Sequence, residues 1–305
     1  FGDLVTMRWW NDLWLNESFA NWMEYYVPGQ LYPQWQLMIQ YYDEETTHAI
    51  ERDSLASVQK IQQEVHTPEE IQSLFDPAIV YAKGGSLINM LHAYLGDESF
   101  RKGLQLYFQR HQYGSTDASN LWKAWGEASG RDVMGFMEPW ITQAGLPLVT
   151  VGVGDSTINL HQRRFFSNPK EATSNDQSQW PIPLLTGKQT AEDLLDTPSA
   201  AIELQSSERP LLLNQGRTGY YLTMYNDAHI PKLVAEIRSG RLSVIDRLGL
   251  LSDSLSLSEA GLQSLPTSLQ LLEAYRGEES MPVWGPISSY IGTLKIFADD
   301  DEELL

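Results

Sequence analysis

Cysteine is missing from all 305 residues. That excludes a disulfide framework, leaves nothing dependent on an oxidising compartment, and restricts candidate metal ligands to His, Asp and Glu. Bases are scarce: 21 Lys and Arg stand against 40 Asp and Glu, a formal net charge of -19. A surface of that sign repels phosphates, so nucleic acid is not an expected partner. No run approaches the roughly 18 apolar residues that a membrane span needs, so no membrane partner is expected and a cytoplasmic, bacterial setting is. Histidine is thin as well. The six residues His48, His66, His92, His111, His161 and His229 include no pair four apart, so the sequence holds no local His-Glu-x-x-His zinc motif. Neither a glycine-rich phosphate loop nor a Gly-x-Ser-x-Gly nucleophile elbow occurs.

What is present is an ordinary apolar share of 42%, enriched in aromatics, with 10 Trp and 14 Tyr. The length predicts two or three domains. Residues 1 to about 145 read as helical. Thr67-Pro68-Glu69-Glu70 combines an N-cap, a first-turn proline and a capping-box acid ahead of Ile71 and Leu74. Leu87, Met90, Leu91, Tyr94 and Leu95 follow helical spacing up to Gly96, and further helices run from Asp117 to Ser129 and from Asp132 to Ala144. The texture changes at Gly145-Leu146-Pro147. Val149, Val151 and Val153 alternate with Thr150 and Gly152, and Gly154-Asp155-Ser156 predicts a turn before Ile158 and Leu160.

Strand-like runs continue at 180–185, 200–205, 210–213 and 220–225, with a polar loop over 167–179. Helical periodicity returns from His229 through Leu233, Ile237, Val244, Leu248 and Leu251. The expected fold class is therefore multidomain α+β: a helical part over 1–145, an antiparallel β-sandwich over 146–228, and the start of a helical domain over 229–305.

Read residue by residue, Glu17 is one acid near the start of an aromatic-rich helix, and Tyr81 is one of 14 tyrosines. Two longer stretches say more. The opening, Phe1-Gly2-Asp3-Leu4-Val5-Thr6-Met7-Arg8-Trp9-Trp10-Asn11-Asp12-Leu13-Trp14-Leu15-Asn16-Glu17-Ser18-Phe19-Ala20, resembles the segment that follows His-Glu-x-x-His in zinc aminopeptidases of the aminopeptidase N family. Tyr81-Ala82-Lys83-Gly84, within Asp76 to Leu91, resembles the Tyr-x-Lys-Gly segment of the same family. Trp140 to Pro147, His161 to Phe165 and Gly219 to Asn226 are similar to structural stretches further along it. Leu222 stands where that family commonly has arginine, and Val58-Gln59-Lys60-Ile61 replaces a commoner Ser-His-Pro-Ile.

The resemblance implies a thermolysin-like catalytic part followed by a β-sandwich and a helical domain. It implies removal of N-terminal residues from peptides with a free N-terminus, with zinc as cofactor. Glu17 would be the carboxylate ligand of the metal, and Tyr81 the phenol that donates to the oxyanion of the transition state. Glu24, two helical turns beyond Glu17, is a candidate to orient a ligand or, equally, a surface ion-pair residue. Lys83 reads as a residue that positions the motif rather than a proton carrier, Arg163 and Arg164 as structural, and Trp9, Trp10 and Trp14 as core. The His pair, the general base and the amine-anchoring Gly-x-Met-Glu-Asn segment of the family are not in this sequence. The chain is therefore expected to be a piece beginning just after the His pair, unable to bind zinc fully or to act alone. A catalytically dead scaffold and a leukotriene-epoxide-hydrolase-like relative are the alternatives on the same motifs.

Overall fold

A computed structural model describes residues 1–172, 176–186, 193–204 and 209–298. The first part is mainly helical. Strand β1 (Val5–Met7) leads into helices α1 (Trp14–Leu31), α2 (Leu37–Tyr41), α3 (Thr47–Asp53), α4 (Pro68–Ile71), α5 (Gly84–Leu95) and α6 (Asp97–His111). Strand β2 (Gly114–Thr116) and helices α7 (Ala118–Ser129) and α8 (Val133–Thr142) complete it. The capping signals act as read. Thr67 and Glu70 form a reciprocal capping box, Asp117 caps α7, and Gly130 ends that helix at a φ of 72°. Helix α4 lasts barely a turn before tightening into a 3-10 turn over Gln72–Leu74, and Asp76, which precedes Pro77, is held extended at a ψ of 110°.

Two features depart from the helical expectation. Val5–Met7 pairs in parallel with Gly114–Thr116; a three-residue strand carries too little alternation to register as one. In addition, two segments wind as π-helix, Tyr42–Thr46 running into α3 and Pro77–Lys83 running into α5.

The β part opens with the expected hairpin, β3 (Pro147–Val153) against β4 (Thr157–Arg164), antiparallel throughout. Strands β5 (Ile182–Pro183) and β6 (Leu194–Leu195) form a short antiparallel ribbon, and β7 (Ser199–Glu203) and β8 (Leu222–Tyr225) flank the hairpin in the order β7-β4-β3-β8. The sheet is mixed rather than antiparallel, because Leu222–Tyr225 runs parallel to Leu148–Val151. A long connection returns the chain to the same end of the sheet, which a hairpin cannot do. Residues 210–213 form no strand: Leu211, Leu212 and Leu213 are buried, but Pro210 lacks an amide donor and the Leu213 amide is taken by the Tyr225 hydroxyl at 2.8 Å. The strand read over 180–185 shrinks to β5. Residues 173–175 of the polar loop and Gln205 lie outside the described residues, as do the terminal acids from Asp299.

Helices α9 (Ile230–Arg238), α10 (Val244–Glu259), α11 (Leu265–Glu273) and α12 (Met281–Ala298) follow. Helix α10 is fastened to the sheet by a buried ion pair. Arg217 Nη1 lies 2.7 Å from Asp253 Oδ2, which also accepts from the Thr223 amide and hydroxyl. No helix among the described residues is long and apolar enough to cross a membrane.

Candidate active site

Helix α1 buries Trp14, Leu15, Ser18, Phe19 and Trp22. Trp14 stacks on Trp122 with centroids 5.4 Å apart, and the Trp22 indole N–H donates to Asn89 at 3.1 Å. Trp10 is half-buried, whereas Trp9 is 54% exposed, its indole donating to the Val65 carbonyl, so the core reading of Trp9 does not hold. Glu17 sits on the flank of the buried face, half-exposed, in the first turn, where a carboxylate complements the helix dipole.

Tyr81 lies on the second π-helical segment, and the contact between that segment and α1 is unusually close. The Ser18 hydroxyl donates to the Val80 carbonyl at 2.7 Å, in a buried position. A π-turn leaves backbone groups out of the usual helical ladder, and Ser18 satisfies one of them. Gly84 and Gly85 make the approach possible. A Cβ on Gly84 would fall 1.9 Å from Ser18 Oγ, and one on Gly85 would fall 2.4 Å from the Tyr41 hydroxyl and 2.7 Å from Asn21 Oδ1. The Tyr41 hydroxyl in turn donates to Asn21 at 3.2 Å. Helix α1 is thereby locked to the residues just before and just after Tyr81.

This arrangement brings Glu17 and Tyr81 together although 63 residues separate them in the chain. The Tyr81 phenol is pushed above its ordinary value of 10.0, first by partial burial, then by the Glu17 charge and by donating a hydrogen bond to that carboxylate. A phenol held in this way stays protonated at neutral pH and is available as a donor. Glu24 does not join the pair. It is exposed, and its charge is felt at Tyr25, whose phenol is pushed up to about 12 by burial and by Glu45, Glu44 and Glu24.

Among the described residues no three His, Cys, Asp or Glu side chains converge to hold a metal ion. Glu17 is therefore not part of a three-residue ligand set among the described residues, and a catalytic zinc takes three protein ligands.

Sequence reasoning missed Ser18 and Asn21 as the parts that set this geometry. The signal available was the Gly84-Gly85 pair, which marks a place where another backbone or side chain comes close.

Two family models match the chain: that of the Peptidase family M1 domain over residues 1–140, and that of the ERAP1-like C-terminal domain over residues 210–305. The chain belongs to peptidase family M1. Its relatives agree. This M1 chain is 41% identical over 309 aligned residues to the aminopeptidase N of Lactococcus lactis subsp. cremoris, covering 99% of the chain and 36% of that protein. It is 38% identical over 301 residues to aminopeptidase 2 of Candida albicans, covering 97% of the chain and 32% of the relative. It is 36% identical over 307 residues to the alanine/arginine aminopeptidase of Saccharomyces cerevisiae, covering 99% and 35%. The chain thus spans about a third of the length of the curated relatives it matches.

Proposed function

We propose that the protein carrying this chain is a zinc-dependent aminopeptidase that hydrolyses the first peptide bond of substrates with a free N-terminus. We propose further that Glu17 is one carboxylate ligand of its zinc and Tyr81 the hydrogen-bond donor to the substrate. The observation that carries this reading is the meeting of Glu17 and Tyr81 across the contact between α1 and the π-helical segment, in a chain of peptidase family M1. Residues 1–145 would then belong to the catalytic domain, with 146–228 and 229–305 as the β and helical domains beside it. A cytoplasmic location fits a chain without cysteine, and nothing in the reading needs a membrane or a nucleic acid.

The chemistry asked of these two residues differs. Hydrolysis of an amide passes through a tetrahedral intermediate whose former carbonyl oxygen carries negative charge. A fixed neutral donor aimed at that oxygen lowers the barrier, because it strengthens as the charge develops. Tyr81 suits that role: its ring is partly packed, its hydroxyl faces Glu17 among the described residues, and it keeps its proton. Glu17 suits a ligand role because it is half-exposed and borne on a helix whose position is fixed from below by Ser18 and Trp22.

The experiment that tests the function is hydrolysis of leucyl and alanyl arylamides by the purified full-length protein, beside their N-acetyl forms. Release of the arylamine from the free-amine substrates alone is expected. Equal cleavage of the acetylated forms, or none of either, would contradict an aminopeptidase.

A further inference from the structure

Two residues beyond Tyr81, on the same π-helical segment, Lys83 is completely buried. Its ammonium lies 2.9 Å from Asp53 Oδ2, at the end of α3, with both side chains 0% exposed. The same ammonium donates to the Gly145 carbonyl at 3.0 Å, and the Gly145 amide donates back to Asp53 Oδ1 at 3.0 Å. The Tyr220 hydroxyl donates to Asp53 Oδ2 at 3.3 Å, and the Tyr220 ring centroid lies 5.9 Å from the ammonium. Four chain segments are therefore closed into one ring: the end of α3, the π-turn, the link from α8 into β3, and the approach to β8. Gly145 takes a φ of +89°, and a Cβ there would fall 2.2 Å from Arg164 Nε, so only glycine fits the link at this point.

A buried ion pair is a poor source of stability. Desolvation consumes most of the attraction, and an apolar pair of similar volume serves a core as well or better. What such a pair does provide is direction. Its short, oriented contacts admit one register, where apolar side chains admit several. Here the register fixed is that of the π-turn, which is also held by the Ser18 hydroxyl on Val80, the Tyr41 hydroxyl on the Ala82 carbonyl at 3.5 Å, and the Arg52–Asp76 ion pair at 2.9 Å. Tyr81 lies between the fastening at residue 80 and those at residues 82 and 83, and among the described residues the Lys83–Asp53 pair is the ion pair that holds the C-terminal side of the turn.

We propose that Lys83 and Asp53 are the positioning residues of this site: their buried pair, closed by Gly145 and Tyr220, sets the π-turn and with it the direction of the Tyr81 hydroxyl. The proposal rests on the reading of Tyr81 as the oxyanion donor for its kinetic consequence, but not for its geometric one.

Both consequences are tested in the full-length protein. Lys83→Met is expected to lower kcat on a leucyl arylamide by about 10-fold or more while KM stays within about 2-fold, the mark of an interaction felt in the transition state. In a Tyr81→Phe background the same change should cost less than about 2-fold, because positioning residues and the residue they position act as one unit. An equal loss in both backgrounds would overturn the proposal, since the pair would then act on the fold at large. If Lys83→Met does not fold, Tyr220→Phe, which removes one hydroxyl from Asp53, carries the same comparison with an expected loss of roughly 2- to 5-fold. The geometric half is read from 3-fluorotyrosine placed at position 81. Its fluorine resonance should shift in the Lys83 or Tyr220 variant, and an unmoved resonance would overturn the proposal. Should Tyr81→Phe alone leave kcat unchanged, the oxyanion role fails, and the resonance still decides whether Lys83 and Asp53 position the ring.

Discussion

Replacing Gly84 by alanine puts the contact beneath the candidate site under direct load. The added methyl would lie 1.9 Å from Ser18 Oγ and 2.8 Å from Ser18 Cβ, against an ordinary carbon contact of roughly 3.5–4.0 Å. Rotation of the Ser18 hydroxyl alone does not relieve the Cβ contact. Either α1 and α5 move apart by about 1 Å, or Ser18 turns away and abandons the buried Val80 carbonyl. Overpacking of this kind costs about 1–3 kcal/mol, and a buried carbonyl left unpaired about 1–3 kcal/mol. Alanine in place of a helical glycine returns only about 0.5–1 kcal/mol, so by either route a net loss of roughly 1–2 kcal/mol is expected.

The compensating change is Ser18→Gly, which removes both clashing atoms. The double variant Gly84→Ala/Ser18→Gly should be more stable than Gly84→Ala by about 1–2 kcal/mol, although each single change destabilises. Chemical denaturation of the two singles and the double measures this. The reasoning would be refuted by a Gly84→Ala variant within about 0.5 kcal/mol of the parent, or by strict additivity of the two changes.

Three further outcomes follow from the same physical reasoning. His92 and His229 are both pushed below 6.5, chiefly by burial, with Asp97 working against the shift at His92 and the Leu211 carbonyl against it at His229. The unfolded chain therefore takes up protons that the folded chain resists, so stability is full above pH 6.5 and falls as the pH drops toward the folded values; a His92→Gln/His229→Gln variant should show a flatter loss between neutral and mildly acid pH, and an unchanged slope would contradict this. Arg217→Met leaves Asp253 charged, buried and without its cation, and should cost about 3–5 kcal/mol in denaturant titration; a loss below about 1 kcal/mol would show that Thr223 suffices. Glu17→Ala in the full-length protein should lower the metal retained after dialysis against a chelator, and stoichiometric retention would remove Glu17 from the ligands.

Much of this fold is written locally. Thr67 with Glu70, Asp117 with Gly130, and the alternation from Val149 to Val153 each carry a signal complete within a few residues, and each produced the expected element. What was not legible depends on partners distant in sequence. The parallel run of β8 beside β3 is set by where a long connection returns, not by the composition of Leu222–Tyr225. Trp9 looked like core because it is tryptophan, yet its indole is taken by the Val65 carbonyl at the surface. The π-turns have no compositional signature, and the second meets α1 at a close approach that Gly84 and Gly85 permit.

The candidate site divides in the same way. Glu17 and Tyr81 became candidates through the resemblance to a family, since spacing alone marks neither. Their meeting in space rests on Ser18, Asn21 and the two glycines, which sequence reading passed over. Lys83 stood out only as part of a motif. That its charge is wholly buried against Asp53 depends on a contact across 30 residues and a closure through Gly145 and Tyr220.

The central claim is that the Tyr81 phenol serves the reaction rather than the core. Tyr81→Phe removes one hydroxyl and keeps the ring, so the fold should be nearly unaffected. The direct measurement is kcat and KM of the full-length Tyr81→Phe protein on a leucyl or alanyl arylamide. We expect kcat to fall by about 10²–10³-fold, the range for loss of one oxyanion donor, with KM little changed. A near-normal kcat would show Tyr81 to be a packing residue and contradict the account.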